Sequence, residues 1–331
     1  MPAVYFLVRF ISFSFRIPFL THLPNHTHTH TTANMSEQKS LNELLKWSII
    51  NQATEKEDAS PSGASAKVVQ KMDPGLIDAI LGKSESQLML DALTVIKSPK
   101  ATTDEKELAW EDFEMLIQHI DNASNIENMK MWPPILEELK NSNPKFREQA
   151  LWVCGTATQN NLKAQAAFLR EKGLPAVMEL LSDPETYVRA KAIYALSGAI
   201  KHYEPALEEF KNADGLKTLV NIVKTETDLS LLRKTLFLLS TLLTLHPSVC
   251  SQLADLGFVH TLDTILTQHM DNEDLVEKSL VSLKTFLDVT PSPVHPATLA
   301  SLHPRILEAK EKYSQHILDS EAWADLEKKT A

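Results

Sequence analysis

The chain is 331 residues long with a formal net charge of -10 and only 8 glycines, far below the roughly 7% of an average protein. That scarcity argues against hairpin-rich sheets, dinucleotide folds and phosphate loops, all of which need glycine for positive φ or close backbone approach. The acidic balance argues against a general nucleic-acid binder, which needs lysine and arginine to neutralise phosphates.

Residues 1–34 read differently from the rest. MPAVYFLVRFISFSFRIPFL is apolar and aromatic, and Arg9 and Arg16 interrupt it. The interruptions make it a poor secretory signal and too broken a run to span a bilayer. We read 1–34 as a disordered extension ahead of a functional start at Met35, with a targeting leader as the alternative. The alternation of His26, His28 and His30 is a weak metal signal, and no cofactor is expected. From Ser40, SLNELLKWSII opens with the capping box Ser40/Glu43 and places Leu41, Leu44, Leu45 and Trp47 on about three helical turns. The polar, turn-rich NQATEKEDASPSGASAK that follows reads as a tether, so 35–67 is expected to be a short amphipathic element on a flexible linker. A cap helix folded onto the body is the other reading.

The body repeats. Gly173-Leu174, Gly215-Leu216 and Gly257-Phe258 recur every 42 residues, and Trp152, Tyr194, Phe237 and Val281 form one column of the intervening helical patterns. A helical period near 42 is the signature of armadillo or HEAT arrays, in which each unit buries its apolar stripe only by stacking on its neighbours. The stripes are Ile193, Leu196, Ile200; Leu236, Leu239, Leu243; and Leu280, Leu283, Leu287. Asn143-Pro144 and Asp183-Pro184 read as helix starts, and the recurrent glycine as a left-handed helix terminator. The expected fold is therefore all-α. It is an armadillo-like right-handed superhelical solenoid with cap helices at 68–104, about four repeats over 105–276, and C-terminal cap helices over 277–331. Cys154 and Cys250 fall on apolar stretches and read as small buried hydrophobes.

Off the apolar stripes, Lys191, Lys234 and Lys278 share a column and form a basic ladder suited to an acidic partner surface; solvated helix faces carry lysine as well. HIDNASNIENM (119–129) interrupts the apolar pattern with Asn122, Ala123, Ser124 and Asn125. Together with TATQNN, which holds Asn160 and Asn161, it reads as a helix end and inter-helix turn. No GxxxxGK[ST], HExxH or GxSxG pattern is present, so an enzyme is not expected.

LNELLKWSI, FEMLIQHIDNASNIENM, GTATQNN, VRAKAIYALSGAIK and KTLFLLSTLLTLHP together resemble the armadillo-type nucleotide exchange factors of heat shock protein 70, above all the fungal cytosolic members. The resemblance runs from about Leu41 to near the C-terminus. It implies a cytoplasmic co-chaperone that clasps the ATPase domain of the chaperone through its concave face, opens the nucleotide cleft and lets ADP escape. It places Ala123 and Lys234 in the chaperone interface, with Asn122 and Asn125 beside them and Lys191 and Lys278 added by repeat symmetry. Leu41, Leu44, Leu45 and Trp47 would then release bound substrate at the chaperone's peptide groove. A monomer is expected, with no nucleic acid or membrane as partner. The rival reading is an armadillo adaptor that binds extended peptides for transport or degradation. Such grooves carry regular Trp and Asn ladders, whereas here Trp152 gives way to Tyr194, Phe237 and Val281.

Overall fold

The helices follow one another in a short–short–long rhythm. The computed structural model describes residues 82–289, 294–314 and 316–331. Among these residues the helices α1 (Glu85–Lys97) and α2 (Thr103–Ile117) come first. Four triplets follow: α3 (Ile120–Asn128), α4 (Trp132–Glu138) and α5 (Pro144–Thr158); α6 (Leu162–Arg170), α7 (Gly173–Glu179) and α8 (Thr186–Ile200); α9 (Glu204–Asn212), α10 (Gly215–Thr225) and α11 (Leu229–Leu245); and α12 (Val249–Asp255), α13 (Phe258–Gln268) and α14 (Glu273–Val289). Then α15 (Pro296–Tyr313) and α16 (Ser320–Thr330) end the array. The capping box Ser40/Glu43 and the residues Leu41, Leu44, Leu45 and Trp47 lie outside the described residues.

Short polar side chains start many of these helices by taking amides that the first turn leaves unpaired. Ser84 accepts the Gln87 amide at α1, Asn161 the Ala164 amide at α6 and Asp228 the Leu231 amide at α11. Thr102 and Glu105 form a reciprocal capping box at α2. Asn143 caps α5 with Pro144 at its first position, as the sequence suggests. Asp183-Pro184 does something else. The helix α8 begins only at Thr186, and the Asp183 carboxylate takes the Glu185 amide at 2.9 Å while it binds Arg147 from the preceding triplet.

That ion pair repeats along the array. Arg147 holds Asp183 through Nε and Nη2 at 2.7 and 3.0 Å, and Arg189 holds Glu226 through the same two nitrogens at 3.1 and 2.8 Å. Arg233 reaches Asp274 at 2.5 Å. Each arginine stands early in one long helix; the first two grip the approach to the next, and Arg233 grips the first turn of α14. The first two also donate to backbone carbonyls, Arg147 to Asn141 at 2.9 Å and Arg189 to Asp183 at 2.9 Å.

The apolar stripes meet in one continuous core. Ile193, Leu196, Ile200, Leu236, Leu239, Leu243, Leu280, Leu283 and Leu287 are all buried in it, as are Cys154 and Cys250. Burial pushes the Cys154 thiol far up, which leaves it an inert packing group. The long helices pack side by side, α2 on α5, α5 on α8, α8 on α11 and α11 on α14.

Gly257 ends α12 in the left-handed conformation, as the sequence suggests, but the other two recurrent glycines work differently. Among the three recurrent ones only Gly257 is left-handed, with φ 72°. At Gly173 and Gly215 the left-handed position belongs to the residue before, Lys172 (φ 60°) and Asp214 (φ 57°). These two glycines instead make room for aromatic rings, since a Cβ there would lie 2.2 Å from the rings of Phe168 and Phe210. Gly257 thus aligns structurally with Asp214, one residue off the sequence register.

Gly155 and Gly198 serve the closest helix approach. A Cβ at Gly155 would fall 2.4 Å from the Tyr194 ring, and one at Gly198 would fall 2.8 Å from the Gly155 carbonyl and 2.7 Å from the Thr158 hydroxyl. Because one obstacle at Gly198 is backbone, α5 and α8 must separate to admit a methyl group. Gly198→Ala is therefore expected to lower the unfolding free energy by about 1–3 kcal/mol, read as a shift of the urea midpoint. A midpoint unchanged from wild type would mean that the two helices have slack at this seam.

Candidate functional site

The long-helix face carries a strip of half-buried aromatic and polar groups. Trp152 on α5, Tyr194 on α8 and Phe237 on α11 are each partly exposed along it. The amine of Lys191 stands 4.0 Å from the centroid of the Trp152 ring and 5.7 Å from that of Tyr194, within cation–π reach of both. Beside them Glu114, 7% exposed, accepts the Thr156 hydroxyl at 2.8 Å and the Gln118 amide at 3.0 Å. Thr156 in turn lies 3.2 Å from the Tyr194 hydroxyl, which donates to Gln159 at 3.4 Å.

Burial pulls the Lys191 ammonium below the ordinary lysine value. The nearby carboxylates of Glu148 and Glu114 oppose that shift, and the cations Lys234 and Lys145 add to it. Burial also raises the Tyr194 phenol, with the Glu114 charge adding to the rise against the Thr156 hydrogen bond. Lys191 and Lys234 thus lie close enough to feel each other. Lys234 is exposed, and Lys278 is half-buried with its amine 3.0 Å from Glu277. The ladder read from the sequence is therefore uneven: Lys191 lies against an indole, Lys234 is open to solvent and Lys278 is ion-paired.

The second candidate region is a helix, not the turn that its small polar residues suggest. Residues 120–128 form α3, where Asn122 and Ala123 are interior, 6% and 2% exposed. The Asn122 amide donates to Glu85 at 2.6 Å and to the Leu116 carbonyl at 2.9 Å, tying α1 and the end of α2 to α3. Asn125 is half-buried and accepts the Asn128 amide at 3.0 Å. The two polar motifs also touch each other. Asn161, after the left-handed Asn160 (φ 54°), donates to the Ile120 carbonyl at 3.2 Å and to Ser124 Oγ at 3.1 Å. DNASN and TQNN therefore form one joint between α3 and α6. A partner reaching this edge meets Asn125; the side chains of Asn122 and Ala123 are spent on packing.

Reading the sequence by column missed Glu114, Lys145 and Glu148. Glu114 and Thr156, hydrogen-bonded to each other, lie one 42-residue period apart, so the repeat length alone would have found that pair. Among the described residues no group of His, Cys, Asp and Glu could hold a metal ion, and no helix is long and apolar enough to cross a membrane.

Comparison with known proteins agrees with this architecture. The family model described as nucleotide exchange factor Fes1 matches residues 41–126, and the SIL1/FES1/HPBP1 C-terminal domain matches residues 122–231. The chain is 39% identical over 223 residues to the Hsp70 nucleotide exchange factor FES1 of Mycosarcoma maydis, covering 65% of this chain and 57% of the relative. The corresponding protein of Gibberella zeae is 40% identical over 176 residues, 51% of this chain and 81% of its own length. The chain thus spans little more than half of the first relative and most of the second. A designed armadillo repeat protein solved in complex with peptide (KR)4 superposes with a TM-score of 0.59 at 13% identity, over 74% of this chain and all of its own. That likeness bears on the fold, which is armadillo-like. The family models that together match residues 41–231, and a relative 40% identical over 81% of its length, lead to one conclusion: the chain belongs to the family of Hsp70 nucleotide exchange factors named FES1.

Proposed function

We propose that this chain binds the ATPase domain of a cytosolic heat shock protein 70 through the concave, long-helix face and promotes ADP release by favouring the open nucleotide cleft. Its membership of the FES1 family carries the reading. The exposed Lys234, beside the half-buried Lys191 in an acidic protein, is consistent with an acidic partner surface. Exchange by this route requires no residue of the factor to touch nucleotide. It requires tighter binding to the open cleft than to the closed one, and each 1.4 kcal/mol of that difference shifts the population tenfold.

In this scheme Asn125, Lys191, Lys234 and Lys278 form the contact surface, and Asn122 and Ala123 hold the helix that carries its edge. Leu41, Leu44, Leu45 and Trp47 would compete for the chaperone's peptide groove and release substrate, with the factor acting as a cytoplasmic monomer. Lys234→Ala tests the surface. Since a peripheral charge acts mainly through encounter, it is expected to slow association with the isolated ATPase domain about three- to tenfold at low salt and to weaken the salt dependence. Association kinetics indistinguishable from wild type would remove Lys234 from the interface.

A further inference from the structure

We infer that Lys191 is a built-in occupant of a cation seat on the long-helix face, and that by covering Trp152 it bars lysine- and arginine-rich peptide segments from that face. The inference goes beyond the exchange reading and holds whatever protein the face binds.

Three observations carry it. The Lys191 amine lies over the Trp152 ring at 4.0 Å with Tyr194 at 5.7 Å, the placement in which an aromatic quadrupole attracts a cation most strongly. Among the described residues no carboxylate pairs directly with it: Glu148 is taken by Lys145 at 3.0 Å, and Glu114 by Thr156 and Gln118. Its close partners are therefore the rings. Finally, among the charges that act on it, the carboxylates of Glu148 and Glu114 weigh more than the cations Lys234 and Lys145, so the seat favours a cation. Lys191 adds the single positive charge that the seat holds.

The same charges explain the exclusion. An incoming lysine or arginine finds the indole face already covered by one cation, with the exposed Lys234 close enough to repel a second. Like charges brought together across an interface reject a partner more sharply than a missing contact does. Removing Lys191 leaves a bare, half-buried indole beside the carboxylates of Glu148 and Glu114, and a guest cation then restores the native arrangement. The half-buried setting matters because a cation–π contact strengthens as water is excluded.

The test is fluorescence anisotropy of a labelled octapeptide of alternating lysine and arginine, titrated with the full chain at physiological salt, where non-specific attraction to the acidic protein is screened. Lys191→Ala is expected to bind the peptide about tenfold more tightly than wild type, the order of one gained cation–π contact. Lys191→Met removes the same charge but keeps an unbranched chain over the ring, so its gain should be clearly smaller. The gain of Lys191→Ala should disappear when Trp152→Ala is added. Should Lys191→Ala lose its cooperative melt, Lys191→Ser, which is equally short and uncovers the ring, carries the same comparison. No gain in the neutral variants overturns the inference. So do equal gains in Ala and Met, or a gain that survives loss of Trp152, because net charge alone would then account for the effect.

Discussion

Replacing Asp183 by alanine is expected to lower the unfolding free energy by roughly 3–5 kcal/mol, the usual consequence of removing one member of a buried ion pair. The Asp183 side chain is 3% exposed and that of Arg147 13%, and the pair is bidentate. The substitution strands the guanidinium and also removes the acceptor of the Glu185 amide just before α8. The effect should depend on pH in a defined direction. Burial by itself would raise the Asp183 carboxyl, but Arg147, the Glu185 amide and Arg189 outweigh it and hold the carboxyl below its ordinary value near 3.8. A depressed carboxyl adds stability above its unfolded value and loses it as pH falls through the folded one. The gap between wild type and Asp183→Ala should therefore be full at pH 7 and pH 5 and shrink below about pH 4. Urea midpoints at pH 7, 5 and 3 measure it. A gap that stays constant to pH 3 would mean that the carboxylate adds no charge-dependent stability.

Leu239→Ala should cost roughly 2–5 kcal/mol. Leu239 is fully buried on α11, which packs against α8 on one side and α14 on the other. A helix held on both sides cannot collapse into the space left by three lost carbons, so the loss should fall in the upper part of that range. Leu239→Met keeps the volume and should cost less than about 1.5 kcal/mol. Because each triplet is stabilised chiefly by its neighbours, the damage should spread to the α8–α11 and α11–α14 seams, with faster amide exchange there than in α2 and α5. Equal midpoints for Leu239→Ala and Leu239→Met would show that the site relaxes freely.

The core was legible because its cause is local. An apolar residue at every third or fourth position can be buried only by stacking, and the nine stripe residues from Ile193 to Leu287 are buried as that pattern requires. What a residue does inside the stack was harder to read. Gly173 and Gly215 have the spacing of helix terminators, yet the rings of Phe168 and Phe210 decide their identity from five residues away. Asp183-Pro184 looks like a helix start because nothing local reveals that Arg147, 36 residues earlier, claims the carboxylate.

The candidate site shows the same division. Trp152 and the lysine column were visible as a register, but the seating of Lys191 on Trp152 joins neighbouring helices and has no signature within either one. Asn122 and Ala123 looked like surface turn residues because small polar side chains favour turns. In the fold, Asn122 exchanges that local option for Glu85 and the Leu116 carbonyl, and α3 stays helical. One practical consequence concerns Ala123, at 2% exposure. An arginine there would disrupt packing as well as any interface, so Lys234→Ala is the cleaner probe of binding.

Whether this face drives nucleotide exchange is decided by stopped-flow release of a fluorescent ADP from cytosolic heat shock protein 70. The full chain should accelerate release about tenfold or more, a shift worth 1.4 kcal/mol in the open–closed balance, and Lys234→Ala should lose much of the effect at limiting concentrations while it melts like wild type. Release that the folded wild-type array leaves unchanged would rule out exchange through this face and favour a peptide-binding adaptor.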